Sequence, residues 1–195
     1  RYRQTSDGLG TVSNLLEARA RQGLAIQTIS LLMEGPKPVV AAIEGYCVGM
    51  GMGYAMACDY VVAAADAKFV CGVPKLGFSA EEHGLAFTVP KRIGPGRAKR
   101  LLLLSPAVSG EEAGRMGLVD DVVAPGAALE GALDMARQFA EVAPIAFALT
   151  KAAMAEGLHQ ALKTELDHQC AIFFTKDHQE GRKAFLEKRK PKFTG

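Results

Sequence analysis

Cysteine is scarce in this sequence and scattered: Cys47, Cys58, Cys71 and Cys170 show no CxxC spacing and no companion cluster of histidines. That pattern argues against a metal site and against a disulfide framework, and it fits a reducing compartment, the cytoplasm. No apolar run approaches the roughly 18–20 residues that a membrane span needs. The stretches Pro38–Ile43 and Leu101–Leu104 are core-sized pieces. Charge of one sign is also lacking, for the formal net charge is only +2, too little to argue for a nucleic-acid partner. Arg1-Tyr2-Arg3-Gln4 carries no signal-peptide pattern. Internal repeats and low-complexity linkers are missing as well. What is there is an ordinary globular composition, 49% hydrophobic and 23% charged over 195 residues, enough for one substantial core.

Apolar positions at helical spacing (Val12, Leu15, Leu16, Ile26, Ile29, Leu32, Met33) predict a helix over 12–33, stopped by Gly35-Pro36. Pro38–Ile43 reads as a buried strand, Tyr60–Ala64 as a second and Lys68–Cys71 as a third, with Val119–Val123 as the last. Between the first two lies a glycine-rich stretch, Gly45 to Gly53, entering a short helix that runs through Cys58. Residues 72–84 read as loop, and helices are expected at 95–104 and 110–116. From Gly126 onward the pattern is helical throughout, at about 127–142, 145–155, 158–174 and 178–187. Tyr46 and Phe69 are expected in the core. His159, His168 and His178 are expected on the surface or at an interface. The chain thus divides into an α/β portion, 1–125, and a helical portion, 126–195.

A buried strand, glycines and a short helix form a general device for presenting backbone N–H groups to an anion. Gly49, Gly51 and Gly53 give GxGxG rather than the GxGxxG of dinucleotide loops, and the following helix is short for such a unit. No GK[ST] follows, which excludes a phosphate-binding P-loop. On spacing alone, a variant dinucleotide loop, close packing and an oxyanion hole all stay open.

The run KPVVAAIEGYCVGMGMGYAMACDYVVAAADAKF resembles the core signature of the crotonase (enoyl-CoA hydratase/isomerase) superfamily. The similarity continues through PKLGFSAEEHG, IGPGRAKRLLLL and SGEEAGRMGLVDDVV and ends in EGRKAFLEKRKPKF. It implies a crotonase-like spiral of ββα units followed by a C-terminal helical trimerisation region. The family's first strands would precede the part of the fold that Arg1 enters. The implied substrate is an acyl-CoA thioester, with coenzyme A as part of the substrate and no separate cofactor or metal. The implied assembly is a homotrimer or a dimer of trimers.

Family members hold a thioester enolate in a hole of two backbone N–H groups. The resemblance assigns one donor to Met50, between Gly49 and Gly51. The second normally lies in an Ala-x-Gly-x-Asp-Leu stretch, which this sequence lacks. The two carboxylates that mark hydratases would fall at Gly53 and Val73, and no acid lies between Gly45 and Cys58 or between Ala67 and Ala80. Glu81 falls where the family's isomerases carry an acid. A carboxylate in an apolar acyl pocket has its pKa raised by desolvation, which suits a base near neutral pH. Glu82 and His83 beside it are atypical, and one residue is inserted before Gly84. The same acids also read as solvated loop residues capping the next helix. Phe185 and Lys188 are implied to lie near the coenzyme A nucleotide, with the basic stretch Arg182–Lys192 otherwise a solvated tail. The expected chemistry is a double-bond shift through the enolate. A hydratase, hydrolase or lyase using other acids, and a catalytically weak coenzyme A-binding subunit, are the alternatives. Leu129, Leu133, Ala136, Phe139, Leu149, Met154, Leu162, Leu166, Ile172, Phe173 and Phe174 are expected to pack between subunits.

Overall fold

The computed structural model describes residue 12 and residues 14–195. It begins with helix α1 (Leu15–Glu34), capped by the Asn14 side chain accepting from the Glu17 N–H. Strands β1 (Val40–Ile43) and β2 (Tyr46–Val48) lead into helix α2 (Met50–Ala57), and β3 (Tyr60–Ala64) and β4 (Lys68–Val70) follow. Two short 3-10 turns, Val73–Leu76 and Glu82–Gly84, precede helix α3 (Leu85–Leu104). Then come β5 (Val108–Ser109), α4 (Gly110–Met116) and β6 (Asp121–Val123). Helices α5 (Ala128–Ala140), α6 (Pro144–Met154), α7 (Leu158–Ile172) and α8 (Lys176–Leu186) complete the chain.

The strands form two three-stranded sheets. One is wholly parallel in the order β1-β3-β6; the other pairs β2 parallel and β5 antiparallel to β4. Strands β1 to β4 therefore alternate between the two sheets, as a spiral of ββα units requires, while β5 joins β4 in the second sheet and β6 returns to the first. Val61, Val62, Ala63 and Ala64 of β3 are fully buried, which is why that strand reads as an unbroken apolar run. The main core gathers both sheets with α2, α3 and α4, with Phe69, Met52, Leu85 and Val89 among its buried members. A smaller core joins Ile29 of α1, Ala57 of α2 and Leu158 and Leu162 of α7.

Several expectations change. Tyr46 is 81% exposed, because the glycine-rich stretch is itself a strand, β2, whose outward face carries Tyr46 and Val48 around buried Cys47. Helix α3 starts at Leu85, ten residues before its expected start, since Gly94 at φ 76 lets two helical pieces meet at a kink around Pro90 and Pro95. Leu162 belongs to the smaller core rather than to an outer face. Phe139 packs edge-on against Tyr60 and Phe147, and Phe173 against Phe78 and His178. Leu129, Leu133, Leu149, Met154 and Phe174 do remain exposed.

The helical portion is fastened to the spiral by polar groups. The Lys151 Nζ on α6 donates to Asp59 Oδ2 at 2.6 Å and to the Lys37 carbonyl at 3.1 Å. Asp59 also accepts from the Val39 N–H at 2.7 Å, so one carboxylate joins α6 to the start of β1. The side chains of Lys151 and Asp59 are 5% and 16% exposed. Removing one partner of such a pair leaves a largely desolvated charge behind. Lys151→Ala should lower stability by about 3 kcal/mol in urea unfolding; Lys151→Ala with Asp59→Asn should lose less than the sum of the two single changes.

Candidate functional site

The glycine turn behaves as a donor platform. Gly49 adopts φ 52, ψ −116 and ends β2, its N–H bonding the Val70 carbonyl at 3.0 Å. That conformation is open to glycine at little cost. It swings the chain directly into α2, where Met50 is the first helical residue and no side chain caps the turn. The N–H groups of a first helical turn have no acceptor one turn back. Met50 is 50% exposed. The Val73 side chain borders the turn, one methyl lying 3.9 Å from where a Cβ on Gly49 would stand.

The two positions at which hydratases would carry glutamates hold no acid here, and Gly53 could not accept one as the fold stands. A Cβ on Gly53 would overlap His83 Cβ and come within 2.9 Å of the His83 carbonyl oxygen. His83 itself is in the left-handed region, φ 56, ψ 41, within the Glu82–Gly84 turn, a conformation uncommon for non-glycine residues. The turn is pinned from the helical portion: Glu165 on α7 accepts from the His83 N–H at 2.6 Å and the Gly84 N–H at 2.8 Å.

Around this turn the structure collects Glu81, Glu82, His83, Glu165 and His168. Glu81 Oε1 accepts from the Ser79 hydroxyl at 3.0 Å and lies 2.8 Å from His168 Nδ1. The Glu81 side chain is 16% exposed. Glu82 is equally enclosed; burial pushes its carboxyl up to about 7, with the Arg21 charge pulling the other way. Glu165 is also raised to about 7 by burial, against the lowering effect of the two N–H groups that it holds. Burial lowers the His83 imidazole to about 4. Its Nδ1 is buried without a hydrogen bond, Glu82 Oε1 being 3.6 Å away, and its ring meets Tyr54 edge-on. Among the described residues no three His, Cys, Asp or Glu side chains converge in a way that could hold a metal ion. Desolvation pushes Cys47 up to about 12 and Cys58 and Cys71 to about 11, so these three carry negligible thiolate at neutral pH.

His168 enters the site from α7 with nothing in the sequence pattern to announce it, since Glu81 and His168 lie 87 residues apart. Glu165 is equally silent, one acid on a helix that carries others. Phe185 and Lys188 sit at the far end of α8, both exposed. Gly181 lets α8 press on the first 3-10 turn, for a Cβ there would come within 2.5 Å of the Leu76 carbonyl carbon. The basic tail is tied down rather than free: Glu180 accepts from Arg189 and from the Lys192 N–H, and Asp177 from the Thr194 N–H. Lys188 takes a positive φ of 53 where the chain turns back.

These features can be set against known proteins. The sequence pattern of the family described as Enoyl-CoA hydratase/isomerase matches residues 15–195. The chain is 37% identical to the crotonyl-CoA hydratase of Syntrophomonas wolfei, over 91% of this chain and 70% of that protein. It is likewise 37% identical to the (E)-benzylidenesuccinyl-CoA hydratase of Thauera aromatica, over 82% of this chain and 63% of that protein. It therefore spans about two-thirds of the length of the curated relatives that it matches. Among solved structures, an enoyl-CoA hydratase from Mycobacterium avium subsp. paratuberculosis superposes with a TM-score of 0.80 at 29% identity, covering 93% of this chain and 72% of that one. With the alternating sheets, the glycine turn at Met50 and this extent of similarity together, the chain belongs to the enoyl-CoA hydratase/isomerase family.

Proposed function

We propose that the protein shifts the double bond of an acyl-CoA thioester through an enolate held on the Met50 N–H. The observation that carries this reading is the pair of empty carboxylate positions, Gly53 and Val73, the first of them closed by His83. Adding water to an enoyl thioester needs one group to activate the water and another to deliver a proton. A double-bond shift needs only proton removal at one carbon and proton return at another.

In this reading the thioester oxygen sits at the start of α2, where the backbone donor and the positive end of the helix favour developing negative charge. Glu81 takes a proton from the α-carbon of a β,γ-unsaturated acyl group. Its Ser79 and His168 partners both address Oε1, leaving Oε2 for the substrate. The electron pair spreads into a dienolate, and protonation at the γ-carbon gives the conjugated isomer. Phe185 and Lys188 are proposed to meet the adenine and phosphates of coenzyme A, which an aromatic ring and an ammonium group suit. The exposed apolar residues Leu129, Leu133, Leu149 and Met154 are proposed to be covered in a trimer or a dimer of trimers.

Hydration is the second reading, favoured by the names of the relatives just described. It would require the acids of the 81–82 turn to do the work of the two missing glutamates. A panel of α,β- and β,γ-unsaturated acyl-CoA thioesters separates the two readings. The double-bond shift should be the faster reaction, and hydration of crotonyl-CoA that outruns it would overturn the proposal.

Glu81→Gln preserves size and hydrogen bonding but cannot accept the proton, so turnover should fall at least about 100-fold with little change in coenzyme A affinity. Full activity in that variant would remove Glu81 from the mechanism. Met50→Ala should retain most activity because the donor is backbone, whereas Met50→Pro should abolish it by deleting the N–H. Equal, mild losses in both would mean that the turn is structural only. Light scattering should report a trimer or hexamer, and a monodisperse monomer at micromolar concentration would count against the assembly.

A further inference from the structure

His83 occupies the place that Gly53 vacates. Residues 50 and 53 are three apart on α2, so they lie on one face of the helix about 4.5 Å apart along its axis. A side chain at 53 would therefore project beside the Met50 N–H, one turn along. Its Cβ position is filled instead by His83 Cβ. An imidazole arriving from the 82–84 turn thus starts where the missing α2 side chain would have started.

Three further observations set this imidazole apart from core filling. Its backbone is held in the left-handed region by two hydrogen bonds to Glu165, so a costly conformation is enforced from another element. Its side chain is only 5% exposed, and Nδ1 is buried with no hydrogen bond, an arrangement that normally costs stability unless a partner arrives. Glu82 Oε1 stands 3.6 Å from that atom, slightly beyond a hydrogen bond. The other charged groups nearby are already placed: Glu81 with His168, Glu165 on the turn's N–H groups, and Arg21 of α1 near enough to act on Glu82.

We propose that His83, backed by Glu82, is the second proton-transfer group of the acyl pocket and delivers the proton to the γ-carbon. This rests on the reading that the thioester lies on the Met50 N–H and that Glu81 removes the α-proton. With Nδ1 turned toward Glu82, Nε2 is the ring atom left for substrate. The neutral imidazole gives its Nε2 proton to the γ-carbon of the dienolate while Nδ1 takes the proton of the Glu82 carboxyl. The dienolate electron pair forms the new C–H bond and the double bond settles between the α- and β-carbons. Glu81 then holds one extra proton and the imidazole carries its proton on Nδ1; Nδ1 returns that proton to Glu82, Nε2 takes one from water and Glu81 gives one to water, which closes the cycle. One proton leaves the α-carbon, one enters the γ-carbon, and no other reactant is consumed. Burial favours the neutral imidazole and the protonated Glu82 carboxyl, the two forms that this relay starts from.

The test is turnover of a β,γ-unsaturated acyl-CoA in D2O by the complete protein. His83→Asn keeps a residue type at home in the left-handed region and removes the ring. It should cut turnover about 100-fold while thioester affinity and melting temperature stay near wild type. Among the product molecules still formed, deuterium at the γ-carbon should fall relative to hydrogen carried over from the α-carbon, because Glu81 must then serve both positions. Glu82→Gln leaves His83 in place and should shift the γ-carbon label in the same direction; it decides the matter if His83→Asn fails to fold. Wild-type turnover and wild-type labelling in both variants would show the imidazole to be core filling and overturn the proposal. Should the wild type itself turn over no enoyl thioester, the enolate reading falls and this one with it; an active wild type with unchanged variants removes only the relay.

Discussion

One carboxylate holds the site in shape. Glu165 reaches from α7 to the N–H groups of His83 and Gly84 and so ties the helical portion to the turn that closes over α2. Two features depend on it: the left-handed His83 and the packing of that residue against Gly53. The arrangement is a contest. Two N–H donors favour an ionised Glu165, while burial and the neighbouring charges of Glu81 and Glu82 oppose it, and burial wins. A carboxyl raised in this way makes folding less favourable as pH climbs from its ordinary range toward about 7, since the unfolded chain ionises first.

The glycine turn works by a different logic. Nothing in it depends on a side chain: Gly49 supplies a backbone path, and Met50 supplies an N–H at the start of a helix. This explains how a methionine can stand at the head of α2 without bearing on the N–H that the turn presents. It also explains why Gly53 matters for what it lacks. The absence of a Cβ there admits a different residue from a different element, and the chemistry available changes from that of an α2 side chain to that of a loop imidazole.

Much of the fold could be read from the residues. The unbroken apolar run Tyr60–Ala64 announced a strand buried on both faces, and β3 is central in its sheet. The helical periodicities after Gly126 became α5 to α8 within a few residues of their expected ends. The misses have physical causes. β2 hid inside a glycine-rich stretch because three residues with one inward side chain leave no alternation to detect. α3 was shortened because Pro90, Gly94 and Pro95 look like breakers, whereas they bend one element. For the candidate site, Met50, Gly53, Val73 and Glu81 could be singled out because they lie in or next to the segments that carry the family resemblance. Glu165 and His168 could not, because their meaning comes from contacts more than eighty residues away along the chain, and a lone acid or histidine on an amphipathic helix has no local signature.

The placement of acids around the cleft bears on which reaction such a site can favour. Hydration calls for two groups facing one bound water from fixed positions, and the family resemblance implies a pair of carboxylates for it, one on α2 and one at the first residue of the first 3-10 turn. Here Gly53 and Val73 stand at those places, and the titratable groups of the candidate site come from the turn 81–83 and from Glu165 and His168 on α7. On the proposed reading, a double-bond shift only has to move a proton from the α-carbon to the γ-carbon, a task that a turn bearing adjacent proton carriers can serve without a second carboxylate to orient water.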